Sequence, residues 1–97
     1  MSRERSKGKV TSFRIHRVRG YGPPHDHIPV HAVVELDDGS DRRMGFPLED
    51  DGDELVHQAW VGMLRDAVAH DITVEVLADH ETEGGFNGVI RDLTLLP

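Results

Sequence analysis

The side chains in this sequence best suited to chemistry are histidines. The segment PPHDHIPVH holds His25, His27 and His31, and a neutral imidazole nitrogen is a common ligand for zinc and other transition metals. Residues two apart share one face of an extended chain, so His25 and His27 could chelate one ion. They could equally be solvated loop histidines, or contacts for a ligand that is not a metal. Prolines flank them, and neither a cysteine nor a matching acidic ligand shares their segment. They are therefore expected to be exposed and to hold no metal tightly, and no cofactor is expected.

The carboxylates read differently. General acid–base pairs need surroundings that separate their pKa values. The cluster Asp50, Asp51, Asp53 and Glu54 instead reads as a helix entry, where a carboxylate accepts from free backbone N–H groups and meets the positive end of the dipole. Asp37-Asp38-Gly39-Ser40-Asp41 lacks the alternating ligands and twelfth-position glutamate of a calcium loop and reads as a hairpin turn. No serine stands in a nucleophile elbow, and no glycine-rich phosphate loop follows a strand. An enzyme is not expected.

The elements that must position these residues follow from periodicity. Val10 to Val18 alternates Thr11, Phe13 and Ile15 against Ser12, Arg14 and His16, as a half-buried strand does. Arg19 to Pro29 is a stiff loop with two glycines and three prolines. His31 to Asp37 and Arg43 to Leu48 make a hairpin, with Met44, Phe46 and Leu48 on the inner face of its second strand. A helix is expected over 54–70, with Trp60, Met63, Leu64 and Ala67 buried and His57, Gln58, Arg65, Asp66 and Ala69 largely on the opposite side. Ile72 to Val76 and Gly88 to Leu96 are the last strands. Ile90 and then Leu93 and Leu95 share a face only if a bulge falls near Arg91-Asp92.

The chain of 97 residues is expected to form one domain over 10–97 behind a basic tail at 1–9. The order β-β-β-α-β-β is that of a mainly β, five-stranded OB-like barrel, and an α+β fold with the helix on an open antiparallel sheet is the alternative. In OB folds the loops between strands one and two and between strands four and five flank the binding face. Tyr21, His25 and His27 on one side, with His80, Glu81, Phe86 and Asn87 on the other, are thus the candidate ligand-binding residues. The alternative packs Tyr21 on Pro23 or Pro24 and uses Phe86 to plug the barrel end, whereas Phe13, Phe46 and Trp60 read as core.

Charge narrows the partners. Residues 1–19 carry seven basic groups against Glu4, a balance of +6, so the remainder holds −13 to give the net −7. Arg14, Arg17, Arg42 and Arg43 could serve a single-stranded nucleic-acid binder, whose groove combines cations with stacking aromatics. The acidic whole argues against it, and a basic first strand laid across an acidic body is the simpler reading. No run of about 20 apolar residues spans a membrane, residues 1–9 lack a signal peptide's apolar core, and there is no cysteine, so a cytoplasmic location is expected.

From Glu35 to Leu96 the hairpin ELDDGSDRRMGFPL, the helix entry EDDGDEL, the segment LRDAVAHD, the strand ITVEVL and the closing GVIRDLTLL together resemble the pentamer-forming B subunits of cholera-like enterotoxins. The resemblance implies an OB fold and a ring-shaped homo-oligomer with helices lining the ring. The chain departs from that family in lacking a signal peptide and a cysteine pair, and in its Pro- and His-rich first loop. Two histidines one residue apart are also similar to the first cupin motif. His31 or Ala32 fills the expected glutamate position and the second motif is missing, so a cupin is rejected. The helix carries an apolar arc of roughly 240°, wider than one barrel end needs, which leaves Leu55, Val61 and Val68 for an oligomer interface. The sequence therefore points to a non-catalytic, self-associating OB-like module for a small polar ligand such as a glycan, or for a protein partner. A nucleic-acid binder and a metal-dependent protein built on His25, His27 and His31 are the alternatives.

Overall fold

The computed structural model describes residues 2–39, 42–48, 52, 54–80 and 87–97. Five strands, β1 (Ser2–Ile15), β2 (Ala32–Leu36), β3 (Arg43–Phe46), β4 (Thr73–His80) and β5 (Asn87–Leu95), close in the order β1-β2-β3-β5-β4. Pairings are antiparallel except β3 with β5, which is parallel. The α-helix α1 (Glu54–His70) stands between β3 and β4. This is the closed OB-like barrel expected from the order of elements, and because β1 pairs with both β2 and β4 the open-sheet alternative fails.

β1 begins far earlier than its hydrophobic alternation indicates. Residues 2–9, expected as a basic tail, pair with β4 from Ser2↔His80 to Lys9↔Thr73. The positions on the inward side are not apolar: Glu4, Ser6 and Gly8 lie opposite the buried Ala78, Val76 and Val74, so no hydrophobic period marks them. The outward positions are Arg3, Arg5, Lys7 and Lys9. They meet acidic groups, with Arg3 on Asp79 at 2.7 Å, Arg5 on Glu75, and Lys9 on Asp71 at 2.7 Å. β1 then changes partner. Its register against β2 shifts between Val10 and Ser12, which makes Thr11 a bulge residue, and the Thr11 hydroxyl donates to the Glu35 carbonyl at 3.2 Å. The strand ends at Ile15, earlier than the expected Val18.

The other strands follow their patterns with shifted ends. β3 stops at Phe46, and β4 runs to His80 instead of Val76. In β5, Ile90 pairs with Ala78 and Asp92 with Leu77, so Arg91 is the extra residue of the expected bulge. Its guanidinium reaches Asp79 at 2.6 Å.

Inside, Val34, Met44, Phe46, Val74, Val76, Ala78, Ile90 and Leu93 meet Trp60, Leu64 and Ala67 of α1. Phe13 and Met63 are only half-buried. His57, expected on the polar side of α1, is buried: its ring lies 5.5 Å from Phe46 and 5.1 Å from Trp60, completing an aromatic cluster. At about 100° per residue it falls on the same side as Leu64. Asp71 ends the helix in a left-handed conformation (φ 55°), and the Ile72 amide returns to the Ala67 carbonyl at 3.0 Å. The expected helix caps Asp51 and Asp53 lie outside the described residues, as do Ser40 and Asp41 of the β2–β3 turn.

Two expected outcomes test this account. Leu64→Ala empties a fully buried site beneath the helix and should lower the unfolding free energy by about 2–5 kcal/mol in urea titrations. Asp79 is the second. Hydrogen bonds from Arg3 and then Arg91 hold its carboxyl at about 2, below the usual 3.8. A depressed folded-state value contributes stability above about pH 4 that is lost as pH falls through 2. Both guanidinium groups are more than half exposed and water screens them, so Asp79→Asn should cost about 1 kcal/mol at neutral pH and flatten that acid limb.

Candidate binding surfaces

In OB-like barrels the outer face of strands two and three is the usual seat of a ligand. Here the Val33–Gly45 end of that face is covered by the chain itself, while the Glu35–Arg43 pair at its other end stays partly exposed. Val33, Gly45 and Val89 stand in one outward row across β2, β3 and β5. The β1–β2 loop folds back through a Tyr21–Ile28 bridge, with both backbone bonds formed (2.9 and 2.8 Å), around a 3-10 turn at Pro24–Asp26. This seats Ile28 and Val30, both buried, on Val33. Gly45 is required beneath this strap, because a Cβ there would stand 2.2 Å from the Ala32 carbonyl oxygen and 2.7 Å from Val30 Cγ2.

The ligand-binding residues expected from sequence take varied places. Tyr21 is half-buried. The Arg14 guanidinium sits 5.6 Å from its ring centre and donates to its hydroxyl at 3.3 Å, and the His16 ring lies 5.8 Å away. His27 is exposed and lies against Gly20, whereas His25 belongs to the 3-10 turn. His80 is no loop residue: it closes β4, is 2 % exposed, and its Nδ1 stands 3.0 Å from the Asn87 carbonyl oxygen. That contact makes Nδ1 the donor, while Nε2 is buried without a partner among the described residues. Asn87 is also buried and ties the two loops together. Its amide donates to Asp26 Oδ2 at 3.2 Å and its Nδ2 to the Asp26 carbonyl at 2.8 Å. Glu81 and Phe86 lie outside the described residues.

The metal and nucleic-acid alternatives gain little from these positions. His31 Nδ1 accepts the Leu48 amide at 3.0 Å, which engages one of its two ring nitrogens within the chain. Among the described residues no three His, Asp or Glu side chains are placed to hold a metal ion. Arg43 pairs with Glu35 at 2.7 Å and Arg42 with Glu4 at 3.4 Å, so only Arg14 and Arg17 of the four arginines are without an acidic partner among the described residues.

An apolar groove of about 530 Å³ opens elsewhere, between the second half of β1 and the outer flank of α1. Val10, Phe13 and Ile15 form one wall, Val61, Val68 and Ala69 the other, and the exposed Arg65 joins the helical wall. Ile15 is 53 % and Val68 55 % exposed. Val61 and Val68 were legible as surplus apolar positions, but Ile15 reads from the sequence as core. Leu55, 78 % exposed, lies at the other end of the helix beside Val56 and outside this groove. No helix of the described residues is long and apolar enough to cross a membrane.

Comparison with protein-family models, with curated proteins and with solved structures finds no match to this chain.

Asn87 offers a test of how the loops are joined. Asn87→Ala removes the side-chain donor to the Asp26 carbonyl, and should cost about 1–2 kcal/mol while speeding amide exchange through residues 21–28. Unchanged exchange there would show that the strap holds without it.

Proposed function

We propose that this chain is a non-catalytic OB-like binding module that docks a polypeptide partner in the groove between β1 and α1. The observation that carries this reading is the strap: Ile28 and Val30 already occupy the Val33–Gly45 end of the outer face of β2 and β3, where an OB-like barrel would take a small ligand or a nucleic acid. The groove is a contiguous apolar surface that stays open among the described residues. A net charge of −7 opposes a phosphate backbone, and a cysteine-free chain suits the cytoplasm.

A second reading has one observation in its favour. Leu55 and Val56 are exposed together at the start of α1, away from the groove, and would suit an enterotoxin-like ring in which helices meet. A glycan or other small polar ligand would then be held by the loop end around Tyr21 and Asn87.

Light scattering at micromolar concentration separates the two readings. Docking of a foreign chain expects a mass near 10.8 kDa that Val68→Glu leaves unchanged. A ring-sized mass that Leu55→Glu or Val68→Glu dissociates without unfolding would replace the first reading with the second. Titration with an oligothymidylate of about 15 nucleotides should show no salt-dependent binding. Strong binding that weakens with salt would overturn both.

A further inference from the structure

We infer that the β1–α1 groove takes its partner as an added β-strand, an extended peptide with apolar residues at alternate positions and a carboxylate for Arg65. This rests on the docking reading above and goes beyond it by fixing the backbone conformation and chemistry of the occupant.

The hydrogen-bond phase of β1 carries the argument. The His16 amide donates to the His31 carbonyl at 2.7 Å, and Ile15, Arg14 and Phe13 stand opposite Ala32, Val33 and Val34. In an antiparallel ladder, bonded and non-bonded pairs alternate. With His16 and His31 bonded, Arg14 and Ser12 also turn their backbone groups to β2. Phe13 and Ile15 turn theirs the other way. On that side β4 accompanies β1 only as far as Lys9↔Thr73, and beyond it the chain is α1. The N–H and C=O groups of Phe13 and Ile15 thus form an edge along the groove that no strand among the described residues covers.

An edge of this kind binds an extended chain through its backbone, while adjacent pockets choose the side chains. The stretch from Val10 to Ile15 measures about 17 Å at 3.3 Å per residue, room for roughly five partner residues. Side chains on one face of the added strand would meet Val61 and Val68. Arg65, exposed on the helical wall of the groove, has no acidic partner among the described residues. A carboxylate on the incoming peptide matches it.

A second copy of this chain fits poorly. Each copy carries −7, so two copies repel one another, and the carboxylate sought by Arg65 is better supplied by a different chain. A helical partner would leave the Phe13 and Ile15 amides without partners, since a helix satisfies its own backbone.

The test is selection of a phage-displayed library of random decapeptides on the intact chain. Enriched sequences should alternate apolar residues and contain Asp or Glu. Synthetic versions should lose affinity by about tenfold or more on Val68→Glu, and Arg65→Glu should shift the selection toward Lys or Arg. Both substitutions are at exposed positions, and circular dichroism confirms the fold. Methylating the peptide backbone nitrogens of one parity should abolish binding while the other parity leaves it intact, and amide exchange at Phe13 and Ile15 should slow when peptide is bound. Apolar residues at helical spacing, or binding indifferent to N-methylation, would overturn strand addition and leave the docking reading standing. A selection yielding no Val68-sensitive sequence would overturn both.

Discussion

The barrel depends on one strand serving two neighbours. With β2 five residues long and β3 four, closure requires a strand long enough to pair with β4 at one end and β2 at the other. The 14-residue β1 does this, and the changeover falls at Thr11. A bulge leaves one residue unpaired and deepens the local twist. Here the threonine side chain meets the Glu35 carbonyl at the point where the ladder is interrupted. Because β4 is left behind at Lys9, the far half of β1 has only β2 as a strand neighbour among the described residues, and the groove beside α1 follows from how the barrel closes.

The charge distribution serves the same closure. The basic residues at every second position of residues 3–9 point outward, and three of them meet Asp79, Glu75 and Asp71 across or beside β4. Exposed pairs of this kind contribute little each. Asp79 differs, since it is 4 % exposed and accepts from two arginines on different strands, joining the first strand of the chain to the last. Three of the seven basic residues of 1–19 are thus engaged by carboxylates of the same chain, all of them in the first half of β1.

Sequence patterns revealed the order of elements, the helix limits and the bulge at Arg91, because each carries a period or a break in one. They missed the first half of β1, where Ser6 and Gly8 fill the inward places and hydrophobicity gives no signal. His57 was misplaced because a histidine reads as polar until an aromatic partner is seen, and Phe46 is reached only through the fold. The site was less legible still. The strap over β2 and β3 uses Ile28 and Val30 from a loop whose prolines suggested an exposed segment, and His80 was assigned to a loop because β4 outlasts its hydrophobic run by four residues.

The length of β1 also sets the sequence of events in folding. Its partners in β4 lie 64 to 78 positions away, from Lys9↔Thr73 to Ser2↔His80. Loop closure over such a distance is entropically unfavourable until other contacts shorten it. During synthesis β1 can pair with β2 and the β2–β3 hairpin can form while the helix is still being made. Residues 2–9 are among the last to find their place, because the edge they will cover emerges only with residue 80.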